Sequence, residues 1–184
     1  MTSSLVQIID ACVLINLLAS DHIEAVLRMS ASNSLICSAV EAESVYLRSG
    51  DPKTKPEKID LQPLIGSGLL TLCSLEGAVE TELYVDYASA LDDGEAMSLV
   101  IALSRGFVFA TDDRKARRLF LEAAGDPKLL KSTSELLRRW AEGQEIERDA
   151  LKAALLRVED RARYQPPTSD VNYQWWLDAT TTSR

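Results

Sequence analysis

The stretch from Asp92 to Arg118, DDGEAMSLVIALSRGFVFATDDRKARR, decides how this chain is read. Gly94–Ser104 reads as a helix. Phe107–Ala110 is a short apolar run of buried-strand type, and Asp113–Ala123 returns to a helical pattern. Helix, strand and helix in so few residues is the rhythm of a parallel sheet with helical crossovers. Working outward, the same rhythm appears on both sides. Leu5–Ile9, Ser34–Cys37, Leu69–Leu75 and Leu129–Leu130 read as further strands. Val13–Leu18, His22–Met29 (with Asp21 as its N-cap), Ala39–Leu47 and Glu76–Leu91 read as helices. Gly50–Asp60, with its prolines and mixed charge, reads as a surface loop. The expected architecture is a three-layer α/β/α fold with a mostly parallel central sheet.

Acidic residues recur where these strands hand over to helices. Asp10 ends the first strand, Glu43 lies in the helix after the second, Glu95 opens the helix of the deciding stretch, and Asp113 follows its strand. In an open α/β sheet such positions converge on the crevice at the carboxyl ends of the strands. Several carboxylates in one crevice repel each other unless a cation neutralises them. Hard oxygen-seeking ions, Mg²⁺ or Mn²⁺, suit that donor set. The chemistry implied is metal-dependent hydrolysis of phosphodiesters.

Each acid also has a plainer role. Asp10 can cap the helix that follows, and Asp92 with Glu95 has capping-box spacing. Asp112 and Asp113 can be N-cap and first-turn acid of the next helix. Glu43 is preferred over Glu41 because a helix through this segment places it on one face with Val40 and Leu47, while Glu41 aligns with Arg48. Thr111 and Asn16 are candidates for orienting an acid or a bound water. Of the basic group Arg114, Lys115, Arg117 and Arg118, the residues Arg114 and Arg118 are four apart and are candidates for holding backbone phosphates.

Composition sets the bounds. The 184 residues are 46% hydrophobic, enough for a real core. Twenty-eight acids against 20 bases give a net charge of −8, which disfavours nucleic-acid binding through bulk charge, so any phosphate grip must be local. Cys12, Cys37 and Cys73 lack metal-site spacing and read as free thiols of a reducing compartment. The apolar amino-terminal run is broken by Asp10 and Asn16, so a cytoplasmic protein without membrane contact is expected. The single histidine, His22, has no nucleophile motif beside it, and no glycine-rich phosphate loop occurs. Beyond residue 131 the character changes. Residues 1–131 are expected to hold the catalytic fold, and 132–184 a helical extension of the same domain, ending in an extended arm around Trp175 and Trp176.

The segments IIDACVLINLL, VEAE and DDGEAMSLVIALSRGFVFATDDRKAR together resemble the PIN-domain nuclease family, which includes toxins of bacterial toxin–antitoxin pairs. The resemblance covers Leu5 to Arg118, and the part beyond resembles a subgroup with a carboxyl-terminal helical extension. It implies that Asp10, Glu43, Glu95 and Asp113 are the metal-holding catalytic acids. Asp113 is preferred over Asp112 because the pattern sets the acid two residues after a threonine, here Thr111. It further implies a Mg²⁺- or Mn²⁺-dependent endoribonuclease with RNA as substrate, a small antitoxin protein as partner for a toxin, and a homodimer as a further association. Cys12 departs from the pattern, which has a small polar residue at that place. Two other classes fit strand-end acids: a non-catalytic interaction or RNA-binding protein on the same scaffold, and a receiver- or phosphatase-like α/β domain. A phosphatase of the latter kind would carry a second aspartate where Cys12 stands.

Overall fold

The computed structural model describes residues 5–42, 46–48 and 55–181. The chain divides into two compact units, and the boundary falls inside one helix, between Leu14 and Ile15.

The first unit comprises residues up to Leu14, Ala31–Ser44 and Asp60–Ser132. Its strands are β1 (Val6–Ile9), β2 (Asn33–Cys37), β5 (Thr71–Cys73), β6 (Val108–Ala110) and β7 (Leu130–Lys131), ordered β5-β2-β1-β6-β7 and parallel throughout. The order proceeds outward from β1 to β2 and β5, then returns to the other side of β1 for β6 and β7. With right-handed crossovers, such a reversal puts successive connections on opposite faces. The fold is therefore of the expected three-layer α/β/α class, and the reversal lies between β1 and β6.

Four helices accompany the sheet in this unit: α4 (Gln62–Gly66), α5 (Gly77–Ala88), α6 (Asp93–Arg105) and α7 (Arg114–Ala124), besides the short α3 (Ser38–Ala42). α6 packs against β1, β2 and β6, which explains why so many of its positions are apolar or small. Ser98, Leu99, Val100, Ile101 and Ala102 are all buried, and the helix ends at Gly106, whose φ of 65° is costly for any residue with a Cβ. Arg105, at its carboxyl end, is held by Glu80 at 2.8 Å and by the Ser74 carbonyl at 2.7 Å, tying α6 to the start of α5. Phe120 of α7 packs its ring 5.3 Å from that of Phe109 in β6.

The second unit comprises Ile15–Ser30, Val45–Ile59 and Thr133–Arg184. It holds the carboxyl half of α1 (Ala11–Ala19), α2 (Ile23–Ser30), the antiparallel pair β3 (Tyr46–Leu47) and β4 (Glu57–Lys58), α8 (Thr133–Gly143), α9 (Arg148–Arg161) and α10 (Tyr173–Thr180). α2 packs on α8, and α9 on α10.

Three expectations need correction. Asp21 does not cap α2: it sits at φ 64° with its carboxylate paired to Arg157 at 3.0 Å and to Arg161 at 2.5 Å. Of the span expected as one helix, Ala39–Leu47, the described residues are helical up to Ala42, and Tyr46–Leu47 is a strand. Leu47 and Arg48 therefore cannot mark helix faces for Glu43 and Glu41; the two-residue strand was invisible because its partner lies in the segment read as loop. The tail is not an extended arm. Tyr173–Thr180 is helical, Trp176 is fully buried, and its indole N–H donates to Glu159 at 2.7 Å. Tyr164 meets Trp176 edge-on at 5.7 Å, and the Arg138 guanidinium lies 5.9 Å from the Trp175 ring.

The burial of Trp176 makes a clear expectation. Trp176→Ala should cost about 3–5 kcal/mol of stability, as large aromatic truncations in cores do. Trp175→Ala, at a half-buried ring, should cost much less. Urea denaturation of the two variants checks this order, and equal effects would refute it.

Candidate active-site crevice

Asp10 stands at the carboxyl end of β1, at the point where the strand order reverses. The backbone fixes it there: its N–H donates to the Ala110 carbonyl of β6 at 3.0 Å, and its own carbonyl accepts from Leu14 in α1. The side chain is 1% exposed. One carboxylate oxygen accepts from the Ala11 N–H at 2.8 Å, so the capping role read from the sequence is present. The other accepts from the Thr111 hydroxyl at 2.8 Å and the Cys12 thiol at 3.2 Å. Burial pushes the Asp10 carboxyl above its usual value, although these three donors pull the other way.

Thr111 follows β6 and is fully buried, with its N–H donating to the Lys131 carbonyl of β7. Its hydroxyl gives its proton to Asp10 and accepts from the Asp113 N–H at 3.2 Å. One oxygen thus joins two of the predicted acids. Cys12 completes the arrangement: its sulfur accepts from the Asp112 N–H at 3.4 Å and lies 3.7 Å from the Thr111 hydroxyl. The thiol fills the place of a small polar residue by hydrogen-bonding as one would, more weakly. It stays protonated, since burial and then the charges of Asp10 and Asp112 all raise its pKa.

Asp113 is the N-cap of α7, with one oxygen accepting from Lys115 and Ala116 at 2.8 Å each. Asp92 caps α6 through the Glu95 N–H at 2.8 Å. Glu95, in the first turn of α6, is pushed up to about 7, by burial first and then by the charges of Asp92, Asp113 and Asp10. Those perturbers place Glu95 within electrostatic reach of three other acids. The Thr111 hydroxyl joins Asp10 to the backbone of Asp113. Asp92, which the sequence offered only as a cap, is among the charges that push both Asp10 and Glu95 up, after burial.

The remaining candidates divide. Glu43 lies outside the described residues. The Asn16 amide, in the second unit, donates to the Thr133 hydroxyl at 3.0 Å, which is a structural use. Asp112 meets the group through its backbone N–H on Cys12. In the basic run, Arg117 turns inward and donates to the carbonyls of Thr111 and Lys131 at 2.7 and 3.0 Å. Lys115 donates to the Ala90 carbonyl. Arg118 lies 4.0 Å from Glu122, an exposed pair of little energetic weight. Arg114 is exposed at the amino end of α7.

A divalent cation fits the chemistry of these donors, which are carboxylate oxygens, and Glu95 is pushed up by burial first and by negative neighbours second. Among the described residues no three His, Cys, Asp or Glu side chains close to metal-holding distance. Mg²⁺ commonly keeps several waters and takes only one or two protein carboxylates.

An open parallel sheet with acids at the carboxyl ends of its strands defines a protein of the α/β class. The family described as DUF3368, a PIN domain, matches residues 6–124, well over half of the chain. This chain belongs to the PIN-domain family. No match was found among curated proteins or among solved structures. Among the described residues, no helix is long and apolar enough to cross a membrane.

The raised carboxyl groups give a pH signature. Their neutral forms are favoured in the fold, so without metal they support it most below the ordinary glutamate value of 4.5. That support declines as pH rises from 4.5 through about 7, where Glu95 ionises beside its neighbours. Melting temperature measured in chelator should fall across this window, and Glu95→Gln should flatten the fall. An unchanged slope in Glu95→Gln would remove Glu95 from the acidic cluster.

Proposed function

We propose that this protein is a Mg²⁺- or Mn²⁺-dependent endoribonuclease whose catalytic acids are Asp10, Glu43, Glu95 and Asp113. The observation that supports this reading most is the buried Asp10 carboxylate at the strand reversal, bonded to Thr111 and within the field that raises Glu95 to about 7. When bound, a divalent cation supplies Lewis-acid polarisation of the phosphoryl group and a water of lowered pKa. Asp10, Glu43, Glu95 and Asp113 would hold it through carboxylate oxygens. Thr111 orients Asp10 by donating to one of its oxygens, and Cys12 shares that task. Arg114, exposed one residue beyond Asp113, is the local cation best suited to a substrate phosphate, which matters in a chain of net charge −8. Arg117 is excluded from that role because its guanidinium is committed to two carbonyls.

The toxin role is a finer part of this proposal. A small antitoxin protein would act as partner, and growth arrest on induction, relieved by co-expression of a small neighbouring gene product, is its measure. Family membership disfavours a receiver or phosphatase. A scaffold that binds RNA without cutting it is the competing outcome.

Purified protein should cleave RNA with Mg²⁺ or Mn²⁺ and stop in chelator. Asp10→Asn should lose more than about 100-fold, beyond the 10- to 100-fold typical of residues that merely support metal ligands. It should keep its fold, because the Thr111 hydroxyl and Cys12 thiol can turn their protons away from the new amide. Thr111→Val should lose about 10- to 100-fold. Glu41→Gln, which removes only an exposed contact with Gln62, should be nearly silent. Equal cleavage by wild type and Asp10→Asn would assign the activity elsewhere, and RNA binding without cleavage in any divalent ion would favour the non-catalytic scaffold.

A further inference from the structure

Two of the thiols occupy matched positions on neighbouring strands. Cys37, the last residue of β2, is the register partner of Cys73, the last residue of β5. Register partners in a parallel pair lie on the same face, and the strand spacing of about 4.8 Å puts their Cα atoms inside the 4.4–6.8 Å range of a disulfide. Both cysteines are free. They differ in access: Cys37 is fully buried, whereas Cys73 is half-exposed on β5, the edge strand of the sheet.

Their contacts differ too. The Cys73 thiol donates to the Ile36 carbonyl at 3.4 Å, within the same strand pair. The Cys37 thiol reaches α6, donating to the Gly94 carbonyl at 3.7 Å and accepting from the Ser98 hydroxyl at 3.3 Å. Gly94 and Ser98 flank Glu95 on the first turns of α6. Cys37 is thus one contact by which β2, next to the edge strand, touches the helix that carries Glu95.

We propose that Cys37 and Cys73 form a reversible dithiol–disulfide couple whose oxidation loosens the amino end of α6. Cys73, the accessible thiol, attacks one sulfur of a small-molecule disulfide as its thiolate, forming a mixed disulfide and releasing one small thiol. Cys37 then attacks the Cys73 sulfur and releases the second. Two protein thiols are oxidised and one small disulfide is reduced to two thiols, with both protons passing to those products. Once bonded, Cys37 has no S–H to give Gly94, and its sulfur is drawn toward β5. A strained or exposed disulfide is easily reduced, which suits a reversible couple. Burial also pushes the Cys73 thiol up to about 11, which makes its oxidation slow.

The consequence for cleavage rests on the nuclease reading, so the test uses readouts that do not. The full chain is treated with oxidised glutathione, free thiols are blocked with iodoacetamide, and the unreduced digest is analysed by mass spectrometry. A linked peptide joining Cys37 to Cys73 is expected, two hydrogens lighter than its reduced parts and lost on adding dithiothreitol. Amide hydrogen exchange over Gly94–Leu99 should be faster in the oxidised protein and unchanged in similarly treated Cys73→Ser, or in Cys73→Val should serine not fold. RNA cleavage should fall several-fold in the oxidised wild type and return on reduction. Glutathione retained on Cys73 with Cys37 alkylated on unfolding would overturn the couple. A linked peptide with unchanged exchange at Gly94–Leu99 would overturn its link to α6. Loss of the nuclease reading alone would leave both measurements decisive.

Discussion

A carboxylate buried to 1% exposure is tolerated only where donors and cations answer its charge, and the organisation around Asp10 follows from that constraint. Three donors reach it from three chain positions: the Ala11 backbone, the Cys12 thiol and the Thr111 hydroxyl. The last of these spans a hundred residues of sequence and joins the two strands between which the sheet changes direction. Without the β1–β6 pairing there is no Thr111 beside Asp10. Without Asp10 the Thr111 hydroxyl has only the weaker Cys12 sulfur, 3.7 Å away, to receive its proton. The strand pairing and the site are one piece of structure.

The same seam explains why the basic run after Asp113 is mostly not a phosphate grip. Arg117 uses its guanidinium to bridge the carbonyls of Thr111 and Lys131, the outgoing ends of β6 and β7. The Lys131 carbonyl also accepts from the Thr111 N–H at 3.1 Å, so the guanidinium adds a second donor to it where the β6–β7 ladder ends. A planar cation with several donors suits two carbonyls at once. Arg117 is therefore a positioning residue for Thr111, and through it for Asp10.

The alternation of strand and helix was legible because the β1, β2 and β6 runs are buried on both faces and so read as unbroken apolar segments. The four candidate acids were legible as positions, each at a strand-to-helix handover, but not as a constellation. Periodicity reports which face of an element is apolar; it does not report that the Thr111 hydroxyl joins Asp10 to the backbone of Asp113. Tyr46–Leu47 failed for a related reason. A two-residue strand has no period of its own, and only its partner at Glu57–Lys58 defines it. The tail failed because QPP and the polar residues around it outweighed a helix of eight residues, Tyr173–Thr180, that depends on the burial of Trp176.

Cys12 shows how a departure from a family pattern can preserve the physics. A hydroxyl at this position would donate to Asp10 and accept from the Asp112 backbone, and the thiol makes both contacts at 3.2 and 3.4 Å. Sulfur is larger and a poorer donor, so it leaves more of the Asp10 charge unanswered than oxygen would. That shifts the burden onto Thr111 and onto any cation brought by solvent. The raised Asp10 carboxyl is consistent with this incomplete compensation. Burial is the larger cause of that rise, and the three donors offset part of it.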